Sequence, residues 1–234
     1  MLPSASLRSV SSNGGMTVYF VLDALTAVLF SLFRFLYKVR IEGLENLPPH
    51  GPYILSSNEI SEMGSVMTSV VVARLILRGK VANPVGFADE YNWTQMWKAV
   101  YDRGGARPVL PHGRGQGTWM LLEALRALRE GRVVVLNPEG EMSWDGRMVR
   151  LRPAVAWLAL RSGVPVVPMV STKGAYDVWP KWAKRPHLTG HFQVRLGKPL
   201  FLSTEPCSRV SDEMIQQGMQ RLKEEMMCLI YRRC

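Results

Sequence analysis

The sequence predicts an α/β domain with a mostly parallel sheet flanked by helices, entered from an N-terminal membrane-associating helix. Three observations carry this. Apolar stretches of strand length alternate with longer helical ones from residue 39 onward, the pattern of βαβ units. The helical stretches are bounded by start and stop residues, Pro153 and Ser211 before two of them and Gly131 and Gly163 after two. And 234 residues are enough for one such domain with a buried core, and too few for two comfortable ones.

Residues 1–15 are rich in Ser and Gly and are expected to be disordered. Residues 16–40 read as a membrane-associating helix. Asp23 and Arg34 are the only charges between residues 17 and 37, and at helical pitch Asp23, Ala27, Ser31, Arg34 and Lys38 share one narrow face of an otherwise apolar cylinder. No small-residue cleavage site follows in a convincing place, so the segment does not read as a signal peptide. It is only just long enough to span a bilayer, and two internal charges make a clean span costly. The favoured reading is a helix in the membrane interface, with Arg34, Lys38 and Arg40 meeting lipid phosphates. A helix packed on its own domain and a true span both stay open. Residues 41–234 form the α/β domain.

Within that domain "YILSS" (53–57) reads as a buried strand. "SVMTSVVVARLIL" (65–77) is valine-rich but longer than a typical strand, and reads as a helix. "PVGFAD" (84–89) and "ARPVL" (106–110) are strands on either side of a short helix, "WTQMWKAVY" (93–101). "TWMLLEALRALREG" (118–131) is a helix with Thr118 as N-cap, Gly131 as C-cap, and Leu121, Leu125 and Leu128 on its buried stripe. "RVVVLN" (132–137) is a strand, "PAVAWLALRSG" (153–163) a helix, and "VPVVPMV" (164–170) and "HFQVRLG" (191–197) are strands. "SDEMIQQGMQRLKEEMMCLIYRR" (211–233) is a long helix capped by Ser211, with Asp212 and Glu213 at its positive end and Arg232 and Arg233 at its negative end. In a parallel sheet the site lies at the carboxyl ends of the strands, so loops 56–64, 87–92, 111–117, 137–147 and 171–180 should line it.

A net charge of +10 draws anionic partners, either nucleic acid or anionic membrane. No stacking-aromatic motif or nucleic-acid fold signature is present, and the apolar N-terminal helix favours the membrane, so no nucleic-acid partner is expected. Cys207, Cys228 and Cys234 contain no C-x-x-C pair and are odd in number, which suits a reducing compartment better than a disulfide framework. The expected location is therefore the cytoplasmic face of a membrane. The Gly-rich stretch 113–117 lacks the Gly-Lys-Ser/Thr ending of a phosphate-binding loop and reads as a turn.

Four segments, taken in order, resemble the glycerophospholipid acyltransferases, the family of the 1-acylglycerol-3-phosphate acyltransferases. They are "IEGLENLPPHGPYILSSNE" before a helix, "GGARPV", "VVVLNPEGEMSWDG" and "VPVVPM", and the resemblance covers roughly residues 17–200. It implies a glycerol-phosphate-acyltransferase-like fold. It also implies transfer of an acyl chain from an acyl-CoA or acyl carrier protein thioester to a lysophospholipid or related acceptor. Membrane lipid and the acyl thioester are then the partners, with the thioester as donor substrate and no resident cofactor or metal.

The family's first block is Asn-His-x-x-x-x-Asp. Its His takes the proton from the acceptor hydroxyl, and its Asp orients the imidazole. Here Asn58 is retained, Glu59 stands at the His position and Gly64 at the Asp position. The second block ends in Pro111, where many relatives carry a basic residue. The third block, Pro-Glu-Gly-Thr-Arg-Ser in the family, is Pro138, Glu139, Gly140, Glu141, Met142 and Ser143, without the Arg that would meet an acceptor phosphate. The fourth block, Val164 to Pro168, is intact. The resemblance thus implies Asn58, Pro138, Glu139, Gly140, Glu141 and Ser143 as substrate-binding residues and places Glu59 where the base belongs, with the Asn58 turn and the Pro-Glu-Gly loop facing one cleft.

A carboxylate is the weaker base, by about two pKa units or roughly 3 kcal/mol. The helix beginning near Ser65 favours its charged form, whereas burial acts the other way. His112 follows the second-block strand directly and is the other catalytic candidate, either a relocated imidazole or a solvated loop histidine. His50, His187 and His191 lie in a turn and beside a late strand. Glu59, Glu62, Glu139 and Glu141 together disfavour an anionic headgroup and suit a neutral or cationic acceptor, unless Glu62 and Glu141 face solvent or pair with Arg103, Arg107 or Arg114. Their spacing fits no metal-ligand pattern. Two functions follow: an acyltransferase with altered chemistry, or a non-catalytic relative that binds lipid or acyl thioester or acts as a regulatory partner.

Overall fold

The apolar runs become strands of one sheet in the computed structural model: β1 (Arg40–Glu42), β2 (Tyr53–Ser57), β3 (Val85–Asp89), β4 (Ala106–Val109), β5 (Val133–Leu136), β6 (Val166–Ser171) and β7 (Gln193–Leu196). The helices with full bounds are α1 (Gln116–Arg129), α2 (Ala154–Ser162), α3 (Lys173–Val178) and α4 (Asp212–Tyr231). The structure describes residues 28, 31–32, 35–61, 63–64, 68, 72, 84–89, 106–109, 116–148, 150–191 and 193–232. The strand order is β1-β7-β6-β2-β5-β3-β4. Neighbours pair in parallel except β6 with β7, which are antiparallel.

Side chains alternate across the sheet, as the pleat requires. Tyr53 and Leu55 of β2 enter one core with Met169, Val194, Ile60 and Met63, and α3 joins it through Ala175 and Val178. Ile54 enters the other, with Val134 and Val166, the α1 residues Leu125 and Leu128, Leu158 of α2, and Leu222 and Met226 of α4. The sheet is therefore covered on both faces, and all five residues of β2 are buried. With its flanks packed, the free edge for chemistry is the row of loops at the carboxyl ends of the strands.

Caps legible in the sequence are made. Ser211 Oγ accepts the Met214 N–H at 3.2 Å. After α1, Gly131 takes a φ of +77°, and the Gly131 and Arg132 N–H groups donate to the Leu128 and Ala127 carbonyls, a Schellman ending. One start is corrected. α1 begins at Gln116, so Thr118 lies within the first turn and does not cap it; a capping preference is a local signal that does not by itself fix where a helix begins. The helix expected at 65–77 begins earlier, since Met63 and Gly64 are already helical. Most of it, all of 93–101, residues 1–27 and loop 111–115 lie outside the described residues.

β1 and α3 were not anticipated. β1 is three residues long and exists through its partner: Ile41 aligns with Val194 of β7. Arg195 of β7 fastens the arrangement. Its guanidinium pairs with Glu42 at 3.3 Å and donates to the Leu229 and Ile230 carbonyls at 2.7 and 3.1 Å, closing the end of α4. Arg232 reaches Glu42 at 3.0 Å from the other side. Cys228 is disulfide-bonded, a correction to the reduced thiols expected from the odd cysteine count, while Cys207 is free.

At the N-terminal side, the described part of the helical segment ends at Tyr37, whose hydroxyl donates to the His187 carbonyl at 2.9 Å. Val28, Leu32 and Phe35 stay exposed on it. Among the described residues no helix is long and apolar enough to cross a membrane.

Candidate active site

β2 ends at Ser57 and the chain turns at Asn58, which is buried with its amide engaged on both sides. Its Oδ1 accepts the Ser171 N–H at 2.7 Å and its Nδ2 donates to the Ser171 carbonyl at 3.1 Å. One side chain thus completes the ladder between β2 and β6 where strand pairing stops, and it fixes the direction in which residue 59 leaves the sheet. Ser61 caps the helix that follows: its Oγ accepts the Gly64 N–H at 3.2 Å and donates to the Ala175 carbonyl at 2.9 Å.

The loop after β5 meets this turn. The Glu139 side chain is fully buried, and its Oε1 accepts the Glu59 N–H at 3.0 Å. A buried carboxylate needs such donors to offset lost hydration. Coming back, the Ser143 N–H donates to the Glu59 carbonyl at 3.0 Å. The backbone of Glu59 is therefore held on both sides by the Pro-Glu-Gly loop. Gly140 makes the turn with a φ of +63°, and a Cβ there would lie 2.8 Å from Arg152 Cδ. Ser143 is buried and donates to Asp145 at 3.1 Å. The Arg147 N–H above all, then the Ser143 hydroxyl and the Arg147 charge, hold the Asp145 carboxyl below its ordinary range.

The substrate-binding residues read from the motif are thus gathered around Glu59, with Pro138 buried and Gly140 and Glu141 exposed. His112, Glu62, Arg103 and Arg114 lie outside the described residues, while His50, His187 and His191 are exposed. Two cations escaped the sequence reading. Arg152 Nε donates to the Glu139 carbonyl at 3.1 Å, and Lys181 Nζ donates to the Met142 carbonyl at 3.2 Å. Their only signal was distance-blind: basic residues nine or more positions beyond the motif they support. Among the described residues no three His, Cys, Asp or Glu side chains gather as a metal site.

Gly64 is the residue that the resemblance sets against the family's Asp. It carries no positive φ, and among the described residues an added Cβ would meet nothing closer than 3.8 Å, with Ser171 Oγ at 3.9 Å. That hydroxyl is buried and lacks a hydrogen-bond partner. A side chain at position 64 would therefore start beside an unused donor.

The acyltransferase family model matches residues 38–172. A 1-acyl-sn-glycerol-3-phosphate acyltransferase of Pseudomonas aeruginosa is 27% identical over 180 residues, 72% of this chain and 61% of that protein. The chloroplastic 1-acyl-sn-glycerol-3-phosphate acyltransferase LPAT1 of Arabidopsis thaliana is 26% identical over 196 residues, 79% of this chain and 51% of that protein. A Limnanthes alba protein of the same name is 36% identical over 74 residues, 31% of this chain and 23% of that one. The chain thus spans less than two thirds of the length of these curated relatives. The crystal structure of the 1-acyl-sn-glycerophosphate acyltransferase PlsC from Thermotoga maritima shares the fold, with a TM-score of 0.61 at 21% identity over 95% of this chain and 84% of that one. The family match runs from just before β1, through the Asn58 turn and the Pro-Glu-Gly loop that clasps it, to the end of the strand that Asn58 clamps, and the chain belongs to the acyltransferase family.

Proposed function

We propose that this chain binds an acyl thioester, from acyl-CoA or acyl carrier protein, together with a lysophospholipid-like acceptor at a membrane surface. Acyl transfer is the family chemistry of this site. The observation that supports the reading is the double clasp of Glu59 by Glu139 and Ser143, which joins the two loops that the resemblance assigns to the reaction site. In place of an imidazole and its carboxylate, the chain presents Glu59 and Gly64. Transfer to lysophosphatidate is therefore expected at least about 10²-fold below that of a His-bearing relative, because a positioned base contributes roughly 10²–10⁴. Residues 16–40 hold the protein at the membrane, and Val28, Leu32 and Phe35 give that role an exposed apolar face.

A second reading is an active transferase with Glu59 as base. Its specific support is that Glu59 is fixed through both its N–H and its carbonyl, the preorganisation a base needs. Thioester release from long-chain acyl-CoA across a panel of acceptors separates the two. Acyl-CoA binding without release in every acceptor supports a binding or regulatory relative. Release abolished by Glu59→Ala assigns the base to Glu59, and release abolished by His112→Ala assigns it to the relocated imidazole. Absence of acyl-CoA binding would remove the whole proposal.

A further inference from the structure

We propose that an exposed rim beside the Pro-Glu-Gly loop, carried by Trp144, Trp182, Lys184 and Arg185, is a second membrane-contact element. It sets the mouth of the site against an anionic lipid surface. The inference rests on the membrane-bound reading above and adds a surface outside residues 16–40.

Trp144 and Trp182 are 66% and 68% exposed. Single exposed apolar residues are ordinary, but these two are built together. Trp182 Nε1 donates to the Tyr176 hydroxyl at 3.3 Å, and that hydroxyl donates to the Trp144 carbonyl at 2.5 Å. Lys181 lies over the Trp144 ring, 4.2 Å from its centre, while donating to the Met142 carbonyl. The indoles are thus positioned by polar contacts and their ring surface is left outside. Amphipathic rings of this kind settle at the headgroup level of a bilayer.

Charge selects the lipid. Residues 173–191 contain four Lys or Arg and one Asp, and Lys184 and Arg185 are exposed beside Trp182. Leu188, 82% exposed, projects from the same stretch. The Tyr37 hydroxyl bond to the His187 carbonyl ties this stretch to the N-terminal helical segment with its own exposed Val28, Leu32 and Phe35. The stretch and the N-terminal segment it touches thus both carry exposed apolar side chains, and Trp144 lies two residues from Met142 in the site loop. An anionic bilayer complements all of these features.

The test uses the full chain in flotation with phosphatidylcholine vesicles, alone or doped with phosphatidylglycerol. Lys184→Gln/Arg185→Gln should weaken partition onto the doped vesicles roughly tenfold and leave partition onto phosphatidylcholine unchanged. Quenching of tryptophan fluorescence by brominated lipid should fall in Trp144→Phe/Trp182→Phe. Melting temperature and vesicle-free acyl-CoA binding of the Lys184/Arg185 variant should match wild type, which separates the rim from the acyl site. If wild type floats and both variants partition and quench as it does, the rim is refuted while the membrane reading stands. If wild type floats on neither vesicle, both are refuted.

Discussion

Gly64 sits in the first turn of a helix capped by Ser61, in right-handed backbone and with room above its Cα. Gly64→Ala should therefore raise stability by about 0.5–1 kcal/mol, read as a higher melting temperature, because a helical glycine costs entropy that this site does not need. Asp at the same position gains the helix N-terminus and the unused Ser171 hydroxyl. Combined as Glu59→His/Gly64→Asp/Met142→Arg, the changes should raise acyl transfer to lysophosphatidate measurably above wild type, with each single change doing little, since base and orienter act as a unit. A stable triple variant that binds acyl-CoA and transfers nothing would show that the acceptor pocket serves another substrate. At this scale the motif was legible because its members are ordered along the chain: Asn58, Glu59 and Glu139 meet as their strand ends require. Arg152 and Lys181 were not legible, since each reaches the loop through a fold contact with no fixed spacing.

Among the elements, β7 is fastened to β1 and α4 by a single side chain. Arg195 is nearly buried, pairs with Glu42 and closes two carbonyls of α4. Arg195→Met should cost about 2–3 kcal/mol, as hydrogen bonds to a charged group are lost and two carbonyls lose their donor. Urea unfolding is the measurement, and a loss below about 0.5 kcal/mol would assign the pairing to the solvated surface. Helix ends such as Gly131, Gly163 and Ser211 were readable because caps are made of neighbouring residues. Thr118 misled for the same reason, since a local preference competes with the register of the whole helix. β1 and α3 are too short for periodicity to register, and the first is a strand only by virtue of β7.

At the level of the whole molecule, alternation of strand and helix gave the parallel sheet with its loops on one side. The reversal between β6 and β7 was hidden, because α3 is a six-residue helix that does not carry the chain back across the sheet as a longer crossover does. Placing β7 next to β6 leaves its outer edge for β1, so the first strand of the domain lies beside the last. The Glu42–Arg195 pair spans 153 positions of sequence. During synthesis β1 has no neighbour to pair with until most of the chain has been made, and the apolar segment ahead of it waits unanchored for as long. Pairing across such a loop comes late because its closure entropy precedes its reward. Pulse-labelled hydrogen exchange during refolding should find the amides of β2 and β5 protected before those of β1 and β7. The same order in time would keep β1 outside the sheet while the rest of the domain gathers around β2, so that the domain is sealed by the strand made first.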